Sequence, residues 1–469
     1  MRRISWVLIL TLVLVGSLGA QEFSQRQDIA IFSLNYFGAP VTSQNPNALE
    51  LSANFRTGNV SLVIRGADDP EVDRRFQQAL GTIDSDIRRV FVNLGRFNVI
   101  GLPQRLSDND VGAFIDSIRR VNEENIQIPE AVRLGQVAFT QADFNRLVGA
   151  FYVVIPSVTQ YSQERNDAGN WVTRITTNFT IIDVENYRTL AAFAIETSGT
   201  NQNPNDSMRS AVGSIPGQLD FQIRSIREFQ IRTGIIEILG PDIYLEFGRN
   251  MGIRVGEEFR IYRFTERAGR QTEVPIGLLL VREVAEDFSV AIIRYSQDRL
   301  VVGDQVGEIP RAGLIFEPYF KYMFYEFTES GNAPTGMFGV RGTLGRGFFS
   351  VRPTIGVNIM FGEEITAISP ITTWYTNMYL GAEFNTYIGR LRPNLNLLGG
   401  VTLSTQVDSD EDVEPEVPFI HLQTNGRLNI LLSDSVELVL EVGAMLNIAP
   451  NNALNTFGGF TGGIGFTFR

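Results

Sequence analysis

The most constraining feature of this sequence is a period-two alternation of apolar and polar residues that runs through its last third. In the run that starts at Leu314, apolar side chains occupy even positions as far as Phe324, whereas Glu317 and Lys321 occupy odd positions. Because successive side chains of a β-strand point to opposite faces, each run predicts a strand with one apolar and one polar face. The pattern over residues 312–469 is typical of an eight-stranded antiparallel transmembrane β-barrel. Its predicted strands begin at Leu314, Gly336, Phe349, Trp374, Leu391, Ile420, Val436 and Phe457.

Charged residues indicate which face of these strands points inward. Apart from Glu326, at a strand end, the charges lie opposite the apolar face: Glu317, Lys321, Arg341, Arg352, Glu383, Arg392, Arg427, Glu437 and Glu441. An eight-stranded barrel has a narrow interior that side chains fill, so charges of both signs are expected to pair there. A water-soluble β-sandwich shows the same alternation with its faces exchanged, and alternation alone leaves that alternative open.

The connections between the predicted strands alternate strictly in length. Tight connections lie at residues 345–347, 389–390 and 433–435, and long ones at 328–335, 362–373, 406–418 and 449–456. Membrane barrels alternate short periplasmic turns with long external loops, which would place both barrel ends on the periplasmic side. Aromatic residues stand near strand ends, as they do at membrane interfaces: Phe349, Phe361, Trp374, Phe466 and Phe468. Together these features favour a membrane barrel over a sandwich.

The barrel region resembles the OmpA-like eight-stranded barrels of the outer membrane. Its terminal segment "GFTFR" is similar to the aromatic-ended last strand that outer-membrane assembly machinery recognises, with Arg469 as an extra residue after Phe468. The resemblance implies that the protein resides in the cell outer membrane.

The start of the chain is typical of an export signal. Arg2 and Arg3 precede an apolar run from Trp6 to Val15, and small residues follow up to Ala20. Residues 1–20 are therefore predicted to be a cleaved signal peptide. The alternative is an uncleaved membrane anchor, but the run is shorter than the roughly 20 residues that a spanning helix needs.

Composition excludes several classes of function. The net charge of -12 and pI near 4.9 argue against a nucleic-acid partner, because phosphate binding needs a basic face. Cysteine is absent and His421 is the single histidine. Disulfides, thiolate metal sites and most histidine-based catalysis are thereby excluded.

Residues 21–232 are predicted to form an α+β domain. A strand at 28–32 precedes a helix at 71–94, whose apolar residues recur at helical spacing, and a strand at 96–100. Further helices are predicted from near Ser107, between Pro129 and Leu147, and over 206–232 with a break at Pro216-Gly217. Further strands are predicted at 151–161, 171–184 and 189–197.

This order resembles the periplasmic domain of the CsgG family of curli-secretion lipoproteins and the middle domain of the flagellar assembly protein FlgT. The resemblance rests on "DIAIF", on a long helix running into "LGRFNVI", on "AVRLGQ" and "GAFYVVIPSVTQY", and on the hairpin "TRITTNFTIIDVENYRTL". It implies a role in building or supporting an apparatus of the cell envelope. The acylated cysteine of the secretion lipoproteins has no counterpart here.

Residues 233–311 are predicted to form a second, small all-β domain. The runs "GIRVGEEFRIYRF" and "LVVGDQVGEIPR" are β-rich and are punctuated by glycine and proline. Their order resembles the small SH3-like C-terminal domain of FlgT, which implies an interaction or spacer module.

No catalytic, cofactor-binding or metal-binding residue is predicted. His421 lies on the polar strand face and reads as a packed polar group. Residues 408–412 begin like a calcium loop but lack its turn glycine and closing glutamate, so an acidic surface loop is the better interpretation. The glycines at 339–347 lack the lysine and strand-to-helix context of a phosphate loop.

The sequence thus predicts an outer-membrane-anchored periplasmic structural or adaptor protein without enzymatic activity. Its expected partners are outer-membrane lipid and periplasmic proteins or further copies of itself. The alternative is a transport or secretion component, either a small channel or a secretion ring.

Overall fold

In the computed structural model, the described part of the chain forms two compact units. One comprises residues 24–230 with 250–252, and the other comprises 231–249 with 253–469. The described residues are 24–36, 41–42, 70–106, 111–124, 131–134, 137–140, 150–267, 269–326, 336–365, 370–407, 418–450 and 456–469. The predicted signal peptide and the acidic stretch at 408–412 lie outside them.

The first unit is built around a mixed β-sheet. The strands of the unit are β1 (Gln27–Ser33), β2 (Asn35–Tyr36), β3 (Val41–Thr42), β4 (Phe97–Arg105), β5 (Ala131–Leu134), β6 (Val137–Thr140), β7 (Tyr152–Arg165), β8 (Trp171–Asp183) and β9 (Arg188–Asn201). The order in the sheet is β4-β1-β7-β8-β9, with β2 and β3 also paired to β7. Strands β4, β1 and β7 run parallel, whereas β7, β8 and β9 form an antiparallel meander. The helices are α1 (Pro70–Asn93), α2 (Val111–Glu124), α3 (Pro204–Gly213) and α4 (Ile215–Ser225), followed by a 3-10 turn at Arg227–Phe229.

Both faces of this sheet are covered by apolar residues. Ile29 and Ile31 belong to a core shared with α1, α3 and α4, whereas Ala30 and Phe32 belong to a second core shared with α2. Alternate residues of one strand thus enter opposite cores, as the strand period requires.

Helix α1 is followed by Gly95, which has a positive φ of 70. A Cβ added at Gly95 would lie 2.6 Å from the backbone nitrogen of Gly252, so only glycine fits at this position.

The helix predicted between Pro129 and Leu147 is wrong over Ala131–Leu134 and Val137–Thr140. Strands β5 and β6 form a two-stranded sheet there, with Leu134 opposite Val137. Only two residues separate the strands and one of them is Gly135, so short-range hairpin formation prevails over the helical spacing. Residues 141–149 lie outside the described part.

Between α3 and α4 the chain breaks at Ser214, two residues before the predicted Pro216-Gly217. Pro216 lies within the first turn of α4, where a missing N–H costs no helical hydrogen bond.

The second unit begins with a small closed barrel. Its strands are β10 (Arg232–Leu239), β11 (Asp242–Leu245), β12 (Glu258–Arg267), β13 (Arg270–Val284), β14 (Ser289–Ser296) and β15 (Gln305–Ile309). Their order around the barrel is β10-β11-β14-β13-β12-β15. Alternating inward residues such as Phe259, Ile261 and Leu279 are completely buried.

The unit continues into a closed eight-stranded antiparallel barrel, which confirms the strand number and closure predicted from the sequence. Each strand pairs with the next, and the first pairs with the last. The strands are β16 (Leu314–Glu326), β17 (Gly336–Leu344), β18 (Val351–Ile365), β19 (Pro370–Asn385), β20 (Leu391–Val407), β21 (Phe419–Ser433), β22 (Val436–Ile448) and β23 (Phe457–Phe468).

The long connection predicted at residues 362–373 is wrong. The ladder between β18 and β19 continues from Gly362 opposite Thr373 to Ile365 opposite Pro370. The β-branched residues Ile365 and Ile371–Thr373 favour this continuation of the strands.

The outer surface of the eight-stranded barrel is apolar, as predicted. Leu380, Ile355 and Val442 are each more than 60% exposed, and the outward residues of the other strands are also apolar. Within the described part of the chain, no helix combines the length and apolar character needed to cross a membrane.

Candidate functional site

The interior of the eight-stranded barrel concentrates the polar chemistry of this unit. All nine charged residues predicted to share the inner face are buried there: Glu317, Lys321, Arg341, Arg352, Glu383, Arg392, Arg427, Glu437 and Glu441. Their burial confirms the face assignment.

In the middle of the barrel, two glutamates link three cations. Glu317 accepts from Arg341 at 2.7 Å and also from Arg427. Glu441 pairs with Lys321 at 2.6 Å, with Arg341 at 3.4 Å and with the Nε of Arg427 at 3.2 Å. Because an isolated buried charge is strongly unfavourable, such sharing is what allows charges to persist here.

Nearer the short turns, Glu383 and Glu437 gather further arginines. Glu383 accepts from Arg427 at 2.6 Å and from Arg392. Glu437 accepts from Arg392 at 2.8 Å, from Arg294 of β14 at 3.2 Å and from Arg469 at the end of the chain. The carboxylate of Glu437 therefore accepts hydrogen bonds from three guanidinium groups that are remote from it in sequence.

Beyond the ion pairs lies a neutral hydrogen-bonded layer. The hydroxyls of Tyr319 and Tyr379 are 2.7 Å apart, and Thr402 donates to Asn447 at 2.7 Å. His421 belongs to this layer, with Nδ1 2.7 Å from Asn447 Oδ1. Its Nε2 is 3.2 Å from Gln423 Oε1.

Four methionines cluster at the level of the interior farthest from the short turns. They pack together with Tyr375 and Phe457 and are Met323, Met337, Met360 and Met445. They were not predicted from the sequence, although all four are buried on the inward face of their strands. The interior therefore changes from charged, through neutral polar, to apolar along the barrel.

The small barrel docks on the short-turn end of the large one through Asp434, which lies in the turn between β21 and β22. Its carboxylate accepts from Tyr295 at 2.6 Å and from Arg260 at 2.7 Å. Arg346 donates to Glu257 at 2.7 Å, and the Arg390 guanidinium lies 4.3 Å from the centroid of the Tyr295 ring. These contacts join residues far apart in sequence, and no local motif identifies them.

The residues around Asp434 shift its pKa and that of Tyr295 in opposite directions. Burial alone would raise the pKa of Asp434, but hydrogen bonds from Tyr295 and Arg260 outweigh it and lower the pKa below its ordinary value. Burial and the hydrogen bond to Asp434 raise the pKa of Tyr295 to about 12. Asp434 is thus held ionised and Tyr295 protonated at neutral pH.

We expect Asp434→Asn to lower the melting temperature near pH 7. In acid, the wild type should lose this additional stability, so the difference between the two proteins should disappear. Because the folded pKa is depressed, the stabilisation is complete above the unfolded value of about 4 and disappears as pH falls through the folded value. When melting temperatures are measured between pH 2 and 7, those of the wild type and of Asp434→Asn should therefore converge as the pH falls below about 4. Asp298→Asn, at an exposed ion pair, is the control and should retain the acid dependence of the wild type. Parallel curves for wild type and Asp434→Asn would contradict this expectation.

Within the described residues, no group of three or more histidine, aspartate or glutamate side chains is placed to hold a metal ion.

Compared with known proteins, the sequence matches no family profile and no curated protein. Among solved structures, Neisserial surface protein A aligns over 34% of this chain and 97% of its own, with 9% identity and a TM-score of 0.29. The N-terminal β-barrel domain of OprF from Pseudomonas aeruginosa covers 33% of this chain and 96% of its own, with 13% identity and a TM-score of 0.22. The hypothetical protein CT253 from Chlamydia trachomatis covers 42% of this chain and 96% of its own, with 10% identity and a TM-score of 0.22. Because all three TM-scores are below 0.5, these similarities do not indicate a function.

Proposed function

We propose that this chain is an outer-membrane protein with residues 1–20 as a cleaved signal peptide and residues 21–311 in the periplasm. Support comes from the closed eight-stranded barrel, whose outside is apolar and whose inside is charged. A soluble sandwich would expose the charged face instead. The chain enters and leaves the barrel at its short-turn end, as periplasmic termini do in such barrels.

We propose further that the barrel is an anchor and that the protein acts as a structural or adaptor component of the envelope. The observation that supports this role best is the ion-pair network, because Glu317, Glu383, Glu437 and Glu441 form ion pairs with cations of β16, β17, β20 and β21. Buried charges held in this way occupy the space that a channel would need. Partners of the anchored chain would be periplasmic proteins or further copies, a role to which the CsgG-like and FlgT-like resemblance also points. We assign it no catalytic step and no cofactor.

Conductance separates the anchor from the transport alternative. The full chain in planar bilayers should give no stable current steps above the baseline, because ion movement would require separating buried pairs. A general porin in the same membrane provides the positive control. Reproducible steps from the full chain would favour a transport or secretion component.

The adaptor role is tested by crosslinking in intact envelopes. A photoreactive residue at Val92 or Phe151, both exposed apolar positions of the first unit, should capture protein. The same residue at Leu397 on the outer barrel surface should capture lipid only. If residues 231–469 alone restored function to a deletion strain, the adaptor role would be wrong.

A further inference from the structure

Buried cations outnumber buried anions inside the barrel and at its short-turn end. Among the described residues, seven cations with nearly inaccessible side chains meet six carboxylates, one of which, Glu257, pairs with Arg346 outside this set. The cations are Lys321, Arg341, Arg427, Arg294, Arg352, Arg392 and Arg469, and the other anions are Glu258, Glu317, Glu383, Glu437 and Glu441. The main-chain oxygen of Arg469 accepts from Arg311, which is outside this set. Positive charge is therefore in excess in a region shielded from solvent.

The excess is located around Tyr387, in what we term the basal arginine cluster: Arg294, Arg352, Arg392 and Arg469. Arg352 makes no ion pair within the described chain, and its Nε and Nη1 donate to no acceptor there. Its guanidinium carbon lies 5.8 Å from the centroid of the Tyr387 ring. An aromatic ring attracts a cation but does not neutralise its charge.

Arg294 presents a second incompletely paired guanidinium to the same ring. Its carbon lies 4.8 Å from the Tyr387 centroid, and only Nη2 is bonded, to Glu437 at 3.2 Å. Nε and Nη1 of Arg294 likewise find no acceptor among the described residues. Two guanidinium groups that are at least nine-tenths buried thus offer four unpaired nitrogen atoms around one ring.

Repulsion from the other cations of the cluster acts on Arg294 against the attraction of Glu437. Burial, followed by repulsion from Arg469, lowers the pKa of Arg294 to about 10, and Arg392 adds to the repulsion. A neighbouring carboxylate alone would have raised this pKa.

We infer that the basal arginine cluster binds a small inorganic anion, such as chloride, beside Arg352 and Arg294. Water would satisfy the N–H donors but would leave the buried positive charge without a counter-ion, whereas an anion supplies both. The inference does not depend on the adaptor role, since it concerns only the interior of the two-barrel unit.

Melting of the full chain in an uncharged detergent tests the site. Chloride is raised to 100 mM at constant ionic strength, with sodium gluconate as the bulky replacement salt. The melting temperature should rise by about 2–4 °C and saturate, because an anion bound only to the folded state stabilises it.

Arg352→Met should abolish the chloride-dependent rise, and without chloride it should melt at or above the wild type because an unpaired buried charge is gone. Arg270→Met, at an exposed arginine of the small barrel, is the matched control and should keep the rise. Equal melting in chloride and gluconate for the wild type, or a full rise in Arg352→Met, would overturn the inference.

Bromide soaking of crystals of the full chain gives a second measurement that needs no variant. An anomalous peak within hydrogen-bond distance of Arg352 and Arg294 supports the site. The absence of a peak there, at bromide concentrations that label other surface sites, would overturn it.

Discussion

Replacing Glu437 by glutamine should lower the free energy of unfolding of the two-barrel unit by about 3–5 kcal/mol, the usual cost of removing one partner from a buried ion pair. Glu437 is completely buried and accepts from Arg392, Arg294 and Arg469. Glutamine has nearly the same shape but no charge, so three guanidinium groups lose a shared counter-ion. Denaturant unfolding of the refolded chain in detergent measures the change.

Glu283→Gln is the matched control for this substitution. Its side chain is 65% exposed and pairs with Arg282 at the surface, where an ion pair contributes at most about 1 kcal/mol. If Glu437→Gln and Glu283→Gln destabilised the chain equally, the buried network would not contribute as described.

Replacing Leu397 by arginine should make the free energy of insertion into the membrane less favourable by about 2–4 kcal/mol. This is the cost of a cation on the lipid-facing surface near mid-membrane. Leu397 lies within β20 and points outward, with 48% of its surface exposed. Refolding yield into lipid vesicles, followed by the shift between folded and unfolded bands on unheated gels, measures insertion. Leu440→Arg should behave in the same way, since Leu440 also points outward from its strand.

The neighbouring Asn396 provides the control for this substitution. Its side chain is buried in the barrel interior, and its amide finds no hydrogen-bond partner among the described residues. Asn396→Ser should therefore insert like the wild type. Equal insertion of Leu397→Arg and Asn396→Ser would mean that the outer surface does not face lipid.

The strands of the barrel and the faces of their side chains were predictable from the sequence. Successive side chains of a strand point to opposite faces. The position along the strand therefore assigns Leu314 and Glu317 to different faces, even when the neighbouring strands are unknown. The same holds for helix α1, where the spacing of Ile83, Ile87 and Phe91 predicts the buried stripe. Local rules failed over Ala131–Leu134 and Val137–Thr140, where a helix was predicted and two paired strands form.

The tertiary structure alone decided which charges meet. Period-two alternation places Glu437 inside the barrel, but only barrel closure and strand register bring Arg392 from β20 within 2.8 Å of it. Arg294 belongs to β14 of the small barrel, and no local sequence pattern distinguishes it from the other arginines of that barrel. Inward or outward orientation is a property of each strand, which the chain encodes locally, whereas the choice of a counter-ion depends on long-range packing.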